Sequence, residues 1–329
     1  MRFHLIAVQP RMELEHYRSA EVFKQKVLSL TKASVAGLDE APKLVAFPEA
    51  IGLPLLFTIG DFDRIRGKTN STRVIWELLR THWQEVFTAS LRHGVLGLPG
   101  LVLSRALPVY RAYQQAFAEA ARCYGVTIVA GSCMLPPIDE EPVRGVYITG
   151  KRVYNTAYTF GPTGSVLGVA RKVYLNPGTE SSIGLSSGNL SDVKTISTPV
   201  GRVGVAICLD GFHTSVVDHF DGQRADIIVQ PSANHAPWMR PWPRDPSLLE
   251  GEAWLRFGLR KLIQGRLHIR YAVNPMLVGE VFELKPRGRS SILVNQRFLP
   301  ASVEGVDGVL ALAQTSDSEE IVRAVIHLA

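Results

Sequence analysis

A cysteine, a glutamate and a lysine stand at or near the ends of apolar runs in this chain, and the three side-chain types together suit acyl transfer. Cys208 closes Val203-Gly204-Val205-Ala206-Ile207, the C-terminal end of a buried strand, where open α/β sheets usually place their ligands. Glu49 follows Leu44-Val45-Ala46-Phe47-Pro48, where a carboxylate is either solvated or held in a pocket as a general base. Lys172 lies inside the apolar stretch from Val166 to Leu175, where a lysine needs a reason. A thiol supplies a nucleophile, a carboxylate accepts its proton, and a cation meets the charge that develops on the substrate oxygen. Each residue also has a plainer reading. A free cysteine is often inert core, and a lysine in a strand can guard an edge against aggregation.

Other chemistries lack their motifs. The sequence contains no HExxH, no paired CxxC, no Walker loop and no GxGxxG between a strand and a helix, so no metal site is expected. Gly184-Leu185-Ser186-Ser187-Gly188 spells GxSxG, but a polar loop from Asn176 to Ser182 precedes it where a nucleophile elbow needs a strand. The three cysteines, at 123, 133 and 208, are too few and too odd for a disulfide framework and point to a reducing, cytoplasmic setting. Lysine plus arginine number 36 against 30 acidic residues, and the excess of +6 is spread along the chain, so no nucleic-acid partner is expected. The first ten residues lack the apolar core of a signal peptide. The most apolar stretch, 94 to 109, is interrupted by Gly97, Pro99, Gly100 and Arg105 and falls short of the roughly 20 residues a spanning helix needs.

The elements that must position these residues follow an α/β rhythm. Strands are expected at 3–8, 43–47, 126–130, 154–160, 166–173, 202–207, 227–230, 271–274, 290–294 and 321–328. A helix fits 19–37, where Phe23, Val27 and Leu30 recur at helical spacing. Gly161-Pro162-Thr163-Gly164 reads as a hairpin turn, making the sheet mixed. The whole chain, 1–329, reads as one domain, with 55–107 as an inserted helical subdomain or lid. That insertion carries one helical pattern from Val74 to Leu91, with Asn70-Ser71-Thr72 as the cap candidates. An amphipathic helix packed on the body accounts for it, and contact with a membrane surface through 72–107, or with a partner, is the other reading. His213, just after the cysteine run, is a candidate for substrate contact, as are Asn234 and Trp238, which with His235 follow the strand at 227–230.

Three stretches, in this order, resemble the nitrilase or carbon-nitrogen hydrolase superfamily. They are Leu44 to Glu49, then Tyr154-Asn155-Thr156-Ala157-Tyr158 leading to Arg171-Lys172-Val173-Tyr174-Leu175, then Gly201 to Asp210. Gln9-Pro10, Val129-Ala130-Gly131-Ser132 and Gly288-Arg289-Ser290 extend the likeness over nearly all of the chain outside 55–107. The resemblance implies a four-layer αββα sandwich and a Glu-Lys-Cys triad at Glu49, Lys172 and Cys208. Glu180 matches a second family glutamate that helps to hold the lysine and substrate. Also implied is thiol-dependent hydrolysis of a non-peptide C–N bond, in an amide, nitrile or carbamoyl group, through a cysteine thioester. The backbone N–H of Leu209 would meet the oxyanion, with no metal or organic cofactor, in a homodimer or larger homo-oligomer. The chain departs from the family where Gly211 to Ser215 lacks the usual Pro-Glu pair, and where Leu259 to Arg266 replaces a common Arg-Ala-x-Glu-Asn run. An N-acyltransferase of the same superfamily and a non-catalytic scaffold keeping the fold stand as alternatives.

Overall fold

Alternation along the strands decides the layers. β1 (Arg2–Gln9) sends Phe3, Leu5 and Ala7 to one face and Ile6 and Val8 to the other, and both faces are buried. The computed structural model describes residues 2–299 and 307–327. Its two large sheets comprise β1, β2 (Lys43–Phe47), β3 (Thr127–Ala130), β4 (Cys133–Leu135), β5 (Tyr154–Phe160), β6 (Val166–Arg171), β7 (Ile196–Thr198), β8 (Gly201–Val205), β9 (Ile227–Val229), β10 (Tyr271–Asn274), β11 (Ser291–Val294), β12 (Val309–Leu312) and β13 (Glu320–His327). The first sheet runs β13-β1-β2-β3-β5-β4, with β6 added on β5, and the second runs β7-β8-β9-β10-β11-β12. Both are mixed: β1-β2-β3 and β8-β9-β10 are parallel, and their outer neighbours pair antiparallel.

One apolar cluster, including Leu5, Leu44, Val129, Val203, Val229 and Val273, fills the space between the sheets. A second packs the outer face of the first sheet under α1 (Ala20–Val35) and a long helix, with Phe117 edge-on to both Phe23 and Phe47. A third packs the outer face of the second sheet under α7 (Thr214–Gly222), through Val216, Val217 and Phe220. Helix, sheet, sheet and helix therefore stack as the expected αββα sandwich.

Several boundaries differ from the sequence expectation, with consequences for the site. β6 stops at Arg171 and β8 at Val205, so Lys172 and Cys208 stand on the segments just beyond their strands. The hairpin at 161–164 forms as expected, with the Gly161 N–H donating to the Ser165 carbonyl at 2.8 Å. The last strand ends at His327, and Leu328 lies outside the described residues.

Between β2 and β3 the chain forms α2 (Leu55–Thr58), α3 (Phe62–Ile65), α4 (Ser71–Thr81), α5 (Trp83–His93) and α6 (Leu98–Tyr124). The pattern over 74–91 is therefore two helices, broken at His82. The His82 ring lies 2.8 Å from Asp61, which also accepts from the buried guanidinium of Arg105 at 2.9 Å, so a charged anchor holds the break. Of the three cap candidates Asn70 caps α4, its side chain accepting from the Arg73 N–H. α6 runs unbroken through residues that read as interruptions. Pro99 sits in the first turn, where no N–H partner is needed, and Gly100 leaves the room in which Ser90 of α5 crosses. Pro108 removes one helical bond, a loss that the buried row of Val109, Tyr113, Ala116 and Phe117 offsets. No single helix among the described residues is long and apolar enough to cross a membrane.

Candidate active site

Each of the three strand-end residues is held by a device of its own. Glu49 follows β2 in a turn where Ala50 has φ +60°, an unusual left-handed conformation for a residue with a side chain. Ser132 steadies that turn, accepting from the Ala50 N–H at 2.9 Å through its hydroxyl and from the Gly52 N–H at 3.0 Å through its carbonyl. Gly131, at φ +69°, packs so closely on the Pro48 carbonyl that any Cβ would collide with it. Lys172 is fixed by its own N–H to the Asn155 carbonyl, 2.9 Å, and by the Gly188 N–H on its carbonyl, 2.8 Å. Cys208 opens a short 3-10 turn at φ +49°, its N–H on the Pro231 carbonyl and its carbonyl accepting from the Gln230 side chain at 2.7 Å. Such a strained turn persists only when its surroundings over-determine it.

Glu49, Lys172 and Glu180 meet, and Cys208 stands close enough to feel Glu49 and Lys172. Lys172 Nζ lies 2.7 Å from Glu49 Oε1 and 2.7 Å from Glu180 Oε2, with all three residues buried. Asn155, on β5, donates from one amide nitrogen to both acids, at 2.9 Å to Glu49 and 2.8 Å to Glu180. Backbone N–H groups complete the set: Ala233 on Glu49 Oε2 at 3.1 Å and Asn176 on Glu180 Oε2 at 3.0 Å. Burial disfavours the Lys172 ammonium, but Glu49, Cys208 and Glu180 outweigh it and hold the lysine above its ordinary range. Burial pushes the Cys208 thiol well up and the Glu49 carboxylate adds to this, with Lys172 opposing both. Among the described residues the Leu209 N–H meets no protein acceptor.

Asp210 ties two of the segments together. Its carboxylate accepts from the N–H of Tyr174 at 2.7 Å and of Val173 at 3.1 Å, joining the Cys208 turn to the chain just after Lys172. Burial pushes it up to about 7, against those N–H groups and Lys172. A carboxyl raised in the folded state contributes stability below its ordinary value and loses it as pH climbs through the folded value. Asp210→Asn is therefore expected to flatten the fall in stability between about pH 4 and about 7, read as urea midpoints across that range. An unchanged slope would mean that Asp210 does not titrate there.

Among the described residues the other candidates make no hydrogen bond to Glu49, Lys172 or Glu180, although Asn234 directly follows Ala233. His213 stacks flat on Tyr174, ring centroids 3.5 Å apart, at the start of α7, and burial lowers its pKa. Asn234 spends its side chain on the Ala236 backbone, accepting from its N–H and donating to its carbonyl. Trp238 packs beside Trp254 of α8 (Glu250–Phe257) and lines a narrow cleft with Gln230 and Asn274. Among the described residues no hydrogen bond or ring contact links these three to Lys172. His235 does feel the group: burial lowers its pKa, Glu49 opposes and Lys172 adds. Asn155, Asp210, Ser132 and the Ala233 N–H were not singled out from sequence. Asn155 carries a signal, being an amide at the second position of a strand that reads as buried.

The profile of the family described as carbon-nitrogen hydrolase matches residues 7–247, and the chain belongs to that family. It is similar to the omega-amidase NIT2 of Danio rerio, 31% identical over 126 residues. That match spans 36% of this chain and 40% of the relative's length. The fold is similar to that of a carbon-nitrogen hydrolase from Helicobacter pylori G27, with TM-score 0.63 and 17% identity over 99% of this chain and 90% of that one. It is also similar to a glutamate-to-glutamine mutant of the amidase from Nesterenkonia sp. AN1, with TM-score 0.57 and 13% identity over 99% of this chain and 90% of that one. In that mutant the acetamide moiety of fluoroacetamide is covalently attached to the active-site cysteine.

Proposed function

We propose that the chain is a thiol-dependent amidase in which Cys208 is the nucleophile, Glu49 the general base and acid, and Lys172 the cation that meets the oxyanion. The observation that carries this reading is the buried Lys172 ammonium 2.7 Å from each of two carboxylates, beside a cysteine in a left-handed turn. A structural lysine needs one partner, and a retired site has no physical reason to keep this excess of buried charge.

Because burial and Glu49 keep the Cys208 sulfur protonated, the thiol attacks as its proton moves to Glu49. Lys172 and Asn155 both occupy Glu49 Oε1, which leaves Oε2, with only the Ala233 N–H on it, as the oxygen that takes the proton. The C–S bond forms at the amide carbon, and the oxyanion is met by the Lys172 ammonium and the Leu209 N–H. Glu49 then returns the proton to nitrogen, the C–N bond breaks, and ammonia or an amine leaves a thioester. Water, giving its proton to Glu49, releases the acid and restores the thiol. Glu180 and Asn155 hold Lys172 and Glu49 in register. The omega-amidase relative supports an amide carbonyl as the group attacked, and the fluoroacetamide adduct of the structural neighbour, formed by displacement of fluoride, supports a cysteine as the nucleophile.

The test uses fluoroacetamide, whose fluoride a reactive sulfur displaces, with labelling located by peptide mass spectrometry. Cys208 is expected to label faster than exposed Cys123, while buried Cys133, its thiol pushed up to about 12, stays unlabelled. Short primary amides that release ammonia should protect Cys208 in proportion to their turnover. Cys208 as inert as Cys133, with no ammonia from any amide, would favour a scaffold instead.

A further inference from the structure

The helices α4 and α5 are apolar on two sides, and only one of them is used. Val74, Leu78 and Val86 face inward and are buried in the core that covers the first sheet. On the outward side of α5, Trp83, Phe87 and Leu91 recur at every fourth residue, which sets them in one ridge. Their exposures are 59%, 56% and 69%, and Leu96 in the following turn is 86% exposed. Trp76 on α4 is 69% exposed. Of the twelve exposed large apolar side chains among the described residues, these five fall between 76 and 96, so the exposure is concentrated rather than scattered.

The charges around the ridge say what can cover it. From Arg64 to Leu96 there are six basic residues and two acidic ones. One of the two acids, Glu77, is enclosed by Arg64, Lys68 and Arg80. Arg73 and Arg92 are exposed and have no ion pair among the described residues. A second copy docked by a two-fold axis would set this excess of positive charge against the same excess, which like-charge repulsion disfavours. An anionic surface with an apolar layer beneath it satisfies both features at once. Tryptophan and phenylalanine enter the boundary between headgroups and acyl chains, and arginines stay at the level of the phosphates.

We propose that the outer face of α4 and α5 binds the surface of an anionic lipid bilayer, seating the enzyme on the membrane without crossing it. The helices lie in the interface, with Trp83, Phe87 and Leu91 as the inserted row and Arg73 and Arg92 on phosphate.

The experiment is flotation of the full chain with phosphatidylcholine vesicles, with and without phosphatidylglycerol, alongside tryptophan emission. Wild type is expected to float with the phosphatidylglycerol vesicles, with emission shifted to shorter wavelength, and to bind phosphatidylcholine alone at least about tenfold more weakly. The triple variant Trp83→Ser, Phe87→Ser, Leu91→Ser should lose binding about tenfold or more, and Arg73→Glu with Arg92→Glu should lose the preference for phosphatidylglycerol. Circular dichroism and melting check that each variant folds. If the triple variant does not, the charge-reversal pair, which alters only exposed arginines, decides. Wild type that stays with neither vesicle overturns the proposal, as do variants that float like wild type. A wild-type dimer that the triple variant converts to monomer, with no flotation of either, assigns the face to a second copy and overturns it equally.

Discussion

Glu49→Gln is expected to lower amide hydrolysis by about 10²- to 10⁴-fold, the usual worth of a positioned general base, while leaving Cys208 able to take an alkyl group. The two readouts separate because the glutamate has two effects on the sulfur. In the proposed mechanism it accepts the proton during attack on an amide, and its negative charge holds the thiol up. Glutamine removes both, and the Lys172 cation that remains favours thiolate. Alkylation of Cys208 in the variant should therefore begin at lower pH than in wild type, even as ammonia release collapses. The comparison needs kcat/KM for a short amide together with the pH profile of labelling. A variant whose hydrolysis falls but whose labelling profile does not move would place Glu49 away from the sulfur. Some loss of stability accompanies the change, because the amide nitrogen of glutamine would face either the Ala233 N–H or the Lys172 ammonium.

Lys172→Met should damage both activity and fold. Removing the ammonium leaves Glu49 and Glu180 buried without their common cation, with the Asn155 amide bridging two like charges. Breaking a buried ion pair from one side costs about 3–5 kcal/mol, and turnover loses the oxyanion cation as well, a further factor of about 10² to 10³. The electrostatic origin can be read from a second change. Adding Glu180→Gln to Lys172→Met removes one of the two facing carboxylates and should recover part of the deficit in urea unfolding. A deficit that the second change leaves as large would point to lost packing of the lysine stem instead.

The site was legible in sequence to the extent that its residues end apolar runs. Glu49, Lys172 and Cys208 each interrupt or close a buried stretch, which singles them out without knowledge of the partner. Asn155 was not, because its function is set by acids 106 and 25 positions away in the chain, a relation that only the paired strands create. Asp210 was visible as part of the cysteine run, but its partners are backbone groups, which leave no trace in residue types. The sandwich itself follows from strands apolar on both faces. Helix boundaries in 55–107 were harder, since the break at His82 depends on Asp61 and Arg105, and the continuity of α6 on burial that overrides Pro108.

That continuity bears on how the insertion could have been gained and whether it can be removed. The first ten residues of α6, Leu98 to Leu107, belong by sequence position to the insertion, and the rest of the same helix packs Tyr113 and Phe117 against the first sheet. Arg105 in that first portion holds the Leu56 and Ile59 carbonyls and Asp61. The segment is therefore not a cassette with two clean seams. A trimmed variant, or a chimera that moves 55–107 into a shorter relative, would cut through a continuous rod, and its outer seam should be placed beyond Tyr124 rather than at residue 107.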